Sequence, residues 1–114
     1  MVFTIIVHLD VKSEHIDKVK AKLIEANRVY AKDKGTIDWF VSQDVNDPTK
    51  FAIVERYEQR SDLQTHINNP YYKEFGRYVK PLLTKSIELH SVEELDTSKE
   101  VEVPPRTWSD EAEQ

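Results

Sequence analysis

The sequence predicts an α+β fold of the ferredoxin-like kind, β-α-β-β-α-β, with both helices on one face of an antiparallel sheet. Three observations carry this. Residues 2–11 alternate as a strand does, with Phe3, Ile5, Val7, Leu9 and Val11 on one face. Ile16, Val19, Leu23, Ala26 and Tyr30 then recur at helical spacing, and Gly35 offers a left-handed stop. Two more alternating runs, 36–45 and 51–57, flank Asn46-Asp47-Pro48-Thr49, a turn sequence that joins them as a hairpin.

The elements follow in order. The first strand has one strongly apolar face, while Thr4, Ile6, His8 and Asp10 form a mixed one. Ser13 is an N-cap candidate for the first helix, with Glu14 and Asp17 well placed in its first turn. In the second strand Ile37, Trp39, Val41 and Val45 share a face, opposite Asp38, Phe40, Ser42 and Asp44. Ser61 is expected to cap a short helix carrying Leu63, His66 and Ile67. That helix breaks at Asn68-Asn69-Pro70, where Pro70 suits the start of another, and Pro81 ends it. Residues 86–92 form a last strand. The domain is thus expected over 1–92. An acidic tail without periodicity follows over 93–114, in which Val101, Val103 and Trp108 are candidates to pack on a neighbouring subunit.

Composition narrows the function. Lys and Arg number 16 against 21 Asp and Glu, a net charge of −5, with no basic stripe for a phosphate backbone, so nucleic acid is not an expected partner. No apolar run approaches the length of a bilayer span, and the first residues read as a strand rather than a leader, so a cytoplasmic location is expected. Cysteine is absent, which removes disulfides, thiolate metal sites and cysteine nucleophiles. The two glycines, Gly35 and Gly76, cannot make a nucleotide- or flavin-cradling loop. His8, His15, His66 and His90 are scattered without ligand spacing, so no metal and no cofactor is expected. The strands carry apolar residues on both faces, among them Ile6, Phe40 and Val54. A face of that size is covered in soluble proteins, and pairing two sheets makes a homodimer.

Residues 51–66, FAIVERYEQRSDLQTH, hold the reactive side chains. Strand alternation puts Phe51, Ile53, Glu55 and Tyr57 on one face, and the helix entered at Ser61 brings His66 near that strand's end. A carboxylate, a phenol and an imidazole beside apolar surface make a candidate small-molecule pocket.

These residues, with Gly35-Thr36-Ile37, Asp47-Pro48, Val54-Glu55-Arg56-Tyr57, Leu63, His66, Pro70, Phe75 and Leu82-Leu83, resemble the antibiotic biosynthesis monooxygenase family over residues 2–92. The resemblance implies a subunit that dimerises into an α/β-barrel, with a pocket between sheet and helices. It also implies cofactor-independent oxidation of small aromatic or quinol-type compounds by dioxygen. Other members isomerise small metabolites, degrade haem or have no known activity, so the alternatives are an isomerase and a non-catalytic ligand- or partner-binding dimer. Two departures stand out. Tyr57 replaces a tryptophan common in the family, and the first strand lacks the asparagine of the haem-degrading branch, with His8 near its place.

His66 is the candidate catalytic base, its alternative a histidine bonded to backbone. Tyr57 is placed beside it to orient a substrate oxygen, or else is a core residue with its hydroxyl at the edge. Trp39 is a stacking surface for a planar ligand or simply core. At least one of Tyr71 and Tyr72 is expected to face the pocket, with Tyr72 taken as the candidate, and Arg77 is a partner for an anionic group or a solvated cation. Glu55 is a candidate base, its alternative and commoner reading a strand-end carboxylate paired with arginine or lysine.

Overall fold

The computed structural model describes residues 1–106. Its elements are β1 (Phe3–Asp10), α1 (Ile16–Tyr30), β2 (Thr36–Gln43), β3 (Lys50–Tyr57), α2 (Asp62–Asn68), α3 (Tyr71–Val79) and β4 (Glu88–Glu93), with 3-10 turns at Ser13–His15 and Lys80–Leu82. The sheet order is β2-β3-β1-β4, antiparallel throughout, which is the expected ferredoxin-like arrangement. β1 and β3 pair from Phe3 opposite Tyr57 to Asp10 opposite Lys50. This register puts both apolar faces on the same side, where Phe3, Ile5, Val7, Leu9, Phe51, Ile53 and Tyr57 are buried.

The helices cover that inner face. α1 buries Val19, Leu23, Ala26 and Tyr30, the apolar stripe of its sequence. Gly35 has φ +87°, and a Cβ there would run into the Asp62 carboxylate, so both conformation and space demand glycine. The hairpin turn is held by Asp44, whose Oδ1 accepts from the Asn46 and Asp47 amides at 2.7 and 2.9 Å. Asn69 Oδ1 accepts from the Tyr71 amide at 3.0 Å, and α3 ends at Val79 before Pro81.

Two details differ from expectation. Neither Ser13 nor Ser61 caps a helix through its side chain. Ser13 lies inside a 3-10 turn and Ser61 already has helical dihedrals, so neither holds the extended backbone of an N-cap. The second strand stops at Gln43, because Asp44 turns its side chain to the hairpin amides, and Val45 is left exposed.

Within the single chain the outer sheet face is open. Phe40, Val54, Ile6 and His90 form a row across it, with Phe40 52% exposed. Beside that row Arg56 donates to Glu94 at 2.6 and 2.8 Å and to Asp38 at 2.7 Å, and the Thr4 hydroxyl donates to Glu94 at 2.6 Å. Glu94 also carries the sheet one residue past β4, its amide donating to the Val2 carbonyl. Val101 and Val103 are exposed, and Trp108 lies outside the described residues.

Candidate functional site

β3 alternation turns Glu55 to the inner face between Ile53 and Tyr57, and α2 brings His66 down opposite it. Both are almost fully buried, Glu55 at 6% and His66 at 5% exposure. His66 Nε2 lies 3.6 Å from Glu55 Oε1, and the same oxygen accepts the Tyr57 hydroxyl at 2.6 Å. Glu55 therefore faces an imidazole and a phenol. Among the described residues no lysine or arginine pairs with it, contrary to the strand-end pairing expected. The neighbouring cation, Arg56, points to the opposite face and takes Glu94 and Asp38.

Burial sets the protonation of this pair. It raises the Glu55 carboxyl above its ordinary range, against the opposing hydrogen bond from Tyr57. It lowers His66 to about 4, so the imidazole is neutral at pH 7. The Tyr57 and Tyr30 phenols are both pushed up, chiefly by burial and next by the Glu55 charge, so both stay protonated. His66 Nδ1 is buried and has no hydrogen-bond partner among the described residues. The Trp39 indole N–H sits near enough to Glu55 to favour its charge, yet falls outside hydrogen-bond geometry to any acceptor among the described residues. We read it as a donor without a fixed partner.

Aromatic rings enclose the imidazole. Tyr30 lies 4.1 Å away between centroids, Tyr72 meets it edge-on at 5.4 Å, and Trp39 lies at 6.4 Å. These residues line a cleft of about 550 Å³, the size of a small-molecule pocket. Its walls are apolar, from Val7, Leu9, Ile53, Phe75, Ile87 and Leu89, and its mouth carries Tyr72, Lys73, Arg77 and Lys80. Among the described residues no three His, Asp or Glu side chains converge as a metal-ligand set.

The structure thus gathers His66, Trp39, Tyr72 and Arg77 at one cleft. Tyr57 is different. It is fully buried, does not line the cleft, and spends its hydroxyl on Glu55 instead of facing a substrate oxygen. His8, near the place of the haem branch's asparagine, is exposed on the outer face. Sequence reasoning missed Tyr30, Phe75, Lys73 and Lys80. Tyr30 carried a usable signal, as the last apolar position of α1 and so nearest the strand ends.

The model of the family described as "Antibiotic biosynthesis monooxygenase" matches residues 2–78. A search among curated proteins finds no match. Among solved structures, a candidate antibiotic biosynthesis monooxygenase from Nitrosomonas europaea superposes with TM-score 0.80 at 20% identity, covering 84% of this chain and 92% of its own. A conserved protein from Methanosarcina mazei gives 0.79 at 20% identity over 83% and 94% of the two chains. A Mycobacterium tuberculosis protein gives 0.79 at 18% identity, over 87% and 100%. At such identities the likeness is one of fold. No helix among the described residues is long and apolar enough to cross a membrane.

Proposed function

The chain belongs to the antibiotic biosynthesis monooxygenase family, and from that premise we propose that it is a cofactor-independent monooxygenase oxidising a small aromatic or quinol-type compound with dioxygen. The observation that carries this is the buried Glu55–His66 pair on the floor of an aromatic-lined cleft. A quinol plus dioxygen gives a hydroxyquinone plus water, with all four electrons drawn from the substrate. What the protein must supply is a site that takes the substrate's proton, because the anion gives up an electron to dioxygen far more readily than the neutral quinol.

Magnitudes define that role. Moving a proton from a phenol of pKa about 10 to an isolated imidazole of pKa about 4 is uphill by roughly 8 kcal/mol. An ionised Glu55 at 3.6 Å offsets roughly 5 kcal/mol of this at an effective dielectric near 20. The pair accepts the proton as a unit, and Tyr57 fixes the carboxylate that stabilises the imidazolium. The remaining cost favours substrates more acidic than a simple phenol, as a quinol conjugated to a carbonyl is. Trp39 and Phe75 hold the ring and Tyr72 closes over it. In this reading the chain works as a homodimer joined through its open outer face.

Oxygen uptake by metal-free protein across a panel of hydroquinones and polyphenols, with His66→Gln as control, tests the reading. Uptake that needs His66 is expected. No uptake across the panel would overturn it and favour an isomerase using the same proton-holding pair, or a binding module.

A further inference from the structure

Lys73, Gly76, Arg77 and Lys80 form one stripe along α3 and the turn after it, at offsets of three, four and seven residues. All four line the cleft. Among the described residues none of these three cations makes an ion pair, so their charges are available to an anion entering the cleft. The acid between them in sequence, Glu74, is turned away to Lys22 at 3.0 Å. Among the described residues the one acid lining the cleft, Glu55, lies on its floor. Lys73 and Arg77 also border a second hollow along α3, with Pro70, Glu74 and Tyr78, while Gly76 and Lys80 line only the cleft of these two.

Gly76 supplies the second, independent observation. Glycine is among the poorest residues for a helix interior. A Cβ built at Gly76 would meet only Lys80 Cε, at an ordinary 3.8 Å. Packing therefore does not require the glycine, and its bare backbone borders the free volume of the cleft.

We propose that the ligand is an aromatic acid. Its ring lies against Trp39 and His66, and its carboxylate-class anion lies over Gly76 among Lys73, Arg77 and Lys80. The proposal rests on the cleft's being the ligand site assigned above, and it adds the charge that ligand carries. Bidentate pairing favours Arg77 as the main contact, with the two lysines acting as point charges.

Calorimetric titration with naphthalene-2-carboxylate and with 2-naphthamide, the same ring without the charge, tests this without oxygen chemistry. The carboxylate is expected to bind at least tenfold tighter, with a preference that shrinks as salt rises. Lys73→Gln/Arg77→Gln/Lys80→Gln should erase the preference and leave naphthamide binding unchanged. If the triple variant fails to fold, Arg77→Gln and Lys80→Gln singly should each remove part of it. Gly76→Leu should weaken both probes while its melting temperature is no lower than the parent's, an outcome that a purely structural glycine would not give. Equal affinity for the two probes, failure of both to bind, or a preference that survives removal of the cations would overturn the proposal. Charge-selective binding without oxygen uptake would leave it standing and overturn the oxidation. Uptake without charge selectivity would do the reverse.

Discussion

Glu55 and Arg56 are neighbours on β3, and the strand period sends them to opposite faces of the sheet. On the outer face Arg56 meets two carboxylates in a half-exposed network, and its hydrogen bonds, with that of Thr4, hold Glu94 down at about 2. On the inner face Glu55 is buried with a phenol and an imidazole but no cation, and its carboxyl is pushed up. Ions that only hold a structure together are paired to satisfaction, as on the outer face. A carboxylate deprived of a cation and set against a neutral histidine is an arrangement a fold carries at a cost, and the proton chemistry proposed above gives that cost a use. Chain position alone separates the two environments by a single residue.

The largest break in this comparison is at the inner pair. His66→Gln removes the proton acceptor and should lower turnover of a productive quinol by about 10²- to 10⁴-fold, the usual worth of a general base. Its mass in solution and far-UV circular dichroism should match the parent's. A rate within threefold of the parent would remove His66 from the chemistry.

The outer face offers the next effect. Phe40 and Val54 sit in adjacent strands in one row, and Phe40 is 52% exposed in the single chain. Phe40→Asp with Val54→Asp should convert the proposed dimer to a monomer by light scattering, since burying two carboxylates per subunit against their symmetry copies costs more than the apolar contact supplies. A parent that is already monomeric at micromolar concentration would show that this face meets no second copy.

Glu55→Gln should separate function from stability. The raised carboxyl means that Glu55 favours the fold below its unfolded pKa, and that this contribution is lost as pH rises through its folded pKa. Glutamine keeps an oxygen to accept from Tyr57 and escapes the cost of burying a charge. At pH 7.5 the variant should melt at or above the parent's temperature while turnover falls. A clear loss of stability would mean that the charge itself holds the fold together.

Most of the fold was legible because its signals are local. The alternation of 2–11, the helical stripe from Ile16 to Tyr30 and the turn chemistry around Pro48 each decide a backbone conformation within ten or fifteen residues. The meeting of Glu55, Tyr57 and His66 was legible for the same reason, since a strand, a turn and a short helix join them in one run of chain. Tyr57's exclusion from the cleft was not, because strand period gives the face and not the depth. The place of Lys73 and Lys80 at the site was not legible, because nothing in their spacing says that α3 borders a cleft reaching Leu89 of β4. Ser13 and Ser61 misled because residue type favours a cap only where the backbone enters from an extended conformation.

The smallest effect sharpens the comparison most, because its sign depends on how the buried pair holds its proton. His66 is lowered from the ordinary 6.5 to about 4, so the unfolded chain binds a proton in that interval and the folded chain does not. Its contribution is whole above about pH 6.5 and drains away as pH falls toward 4. Glu94, lowered from 4.5 to about 2, contributes above pH 4.5 and is lost as pH falls toward 2. Thermal melts at half-unit pH steps should therefore show His66→Gln flattening the loss between pH 6.5 and 4, and Arg56→Met flattening it between 4.5 and 2. The opposite slope for His66, stability rising as pH falls through 6.5, would mean that the folded protein already holds imidazolium against an ionised Glu55. The inner pair would then be one more satisfied ion pair like that of Arg56, and its claim to proton chemistry would go with the difference between the two faces.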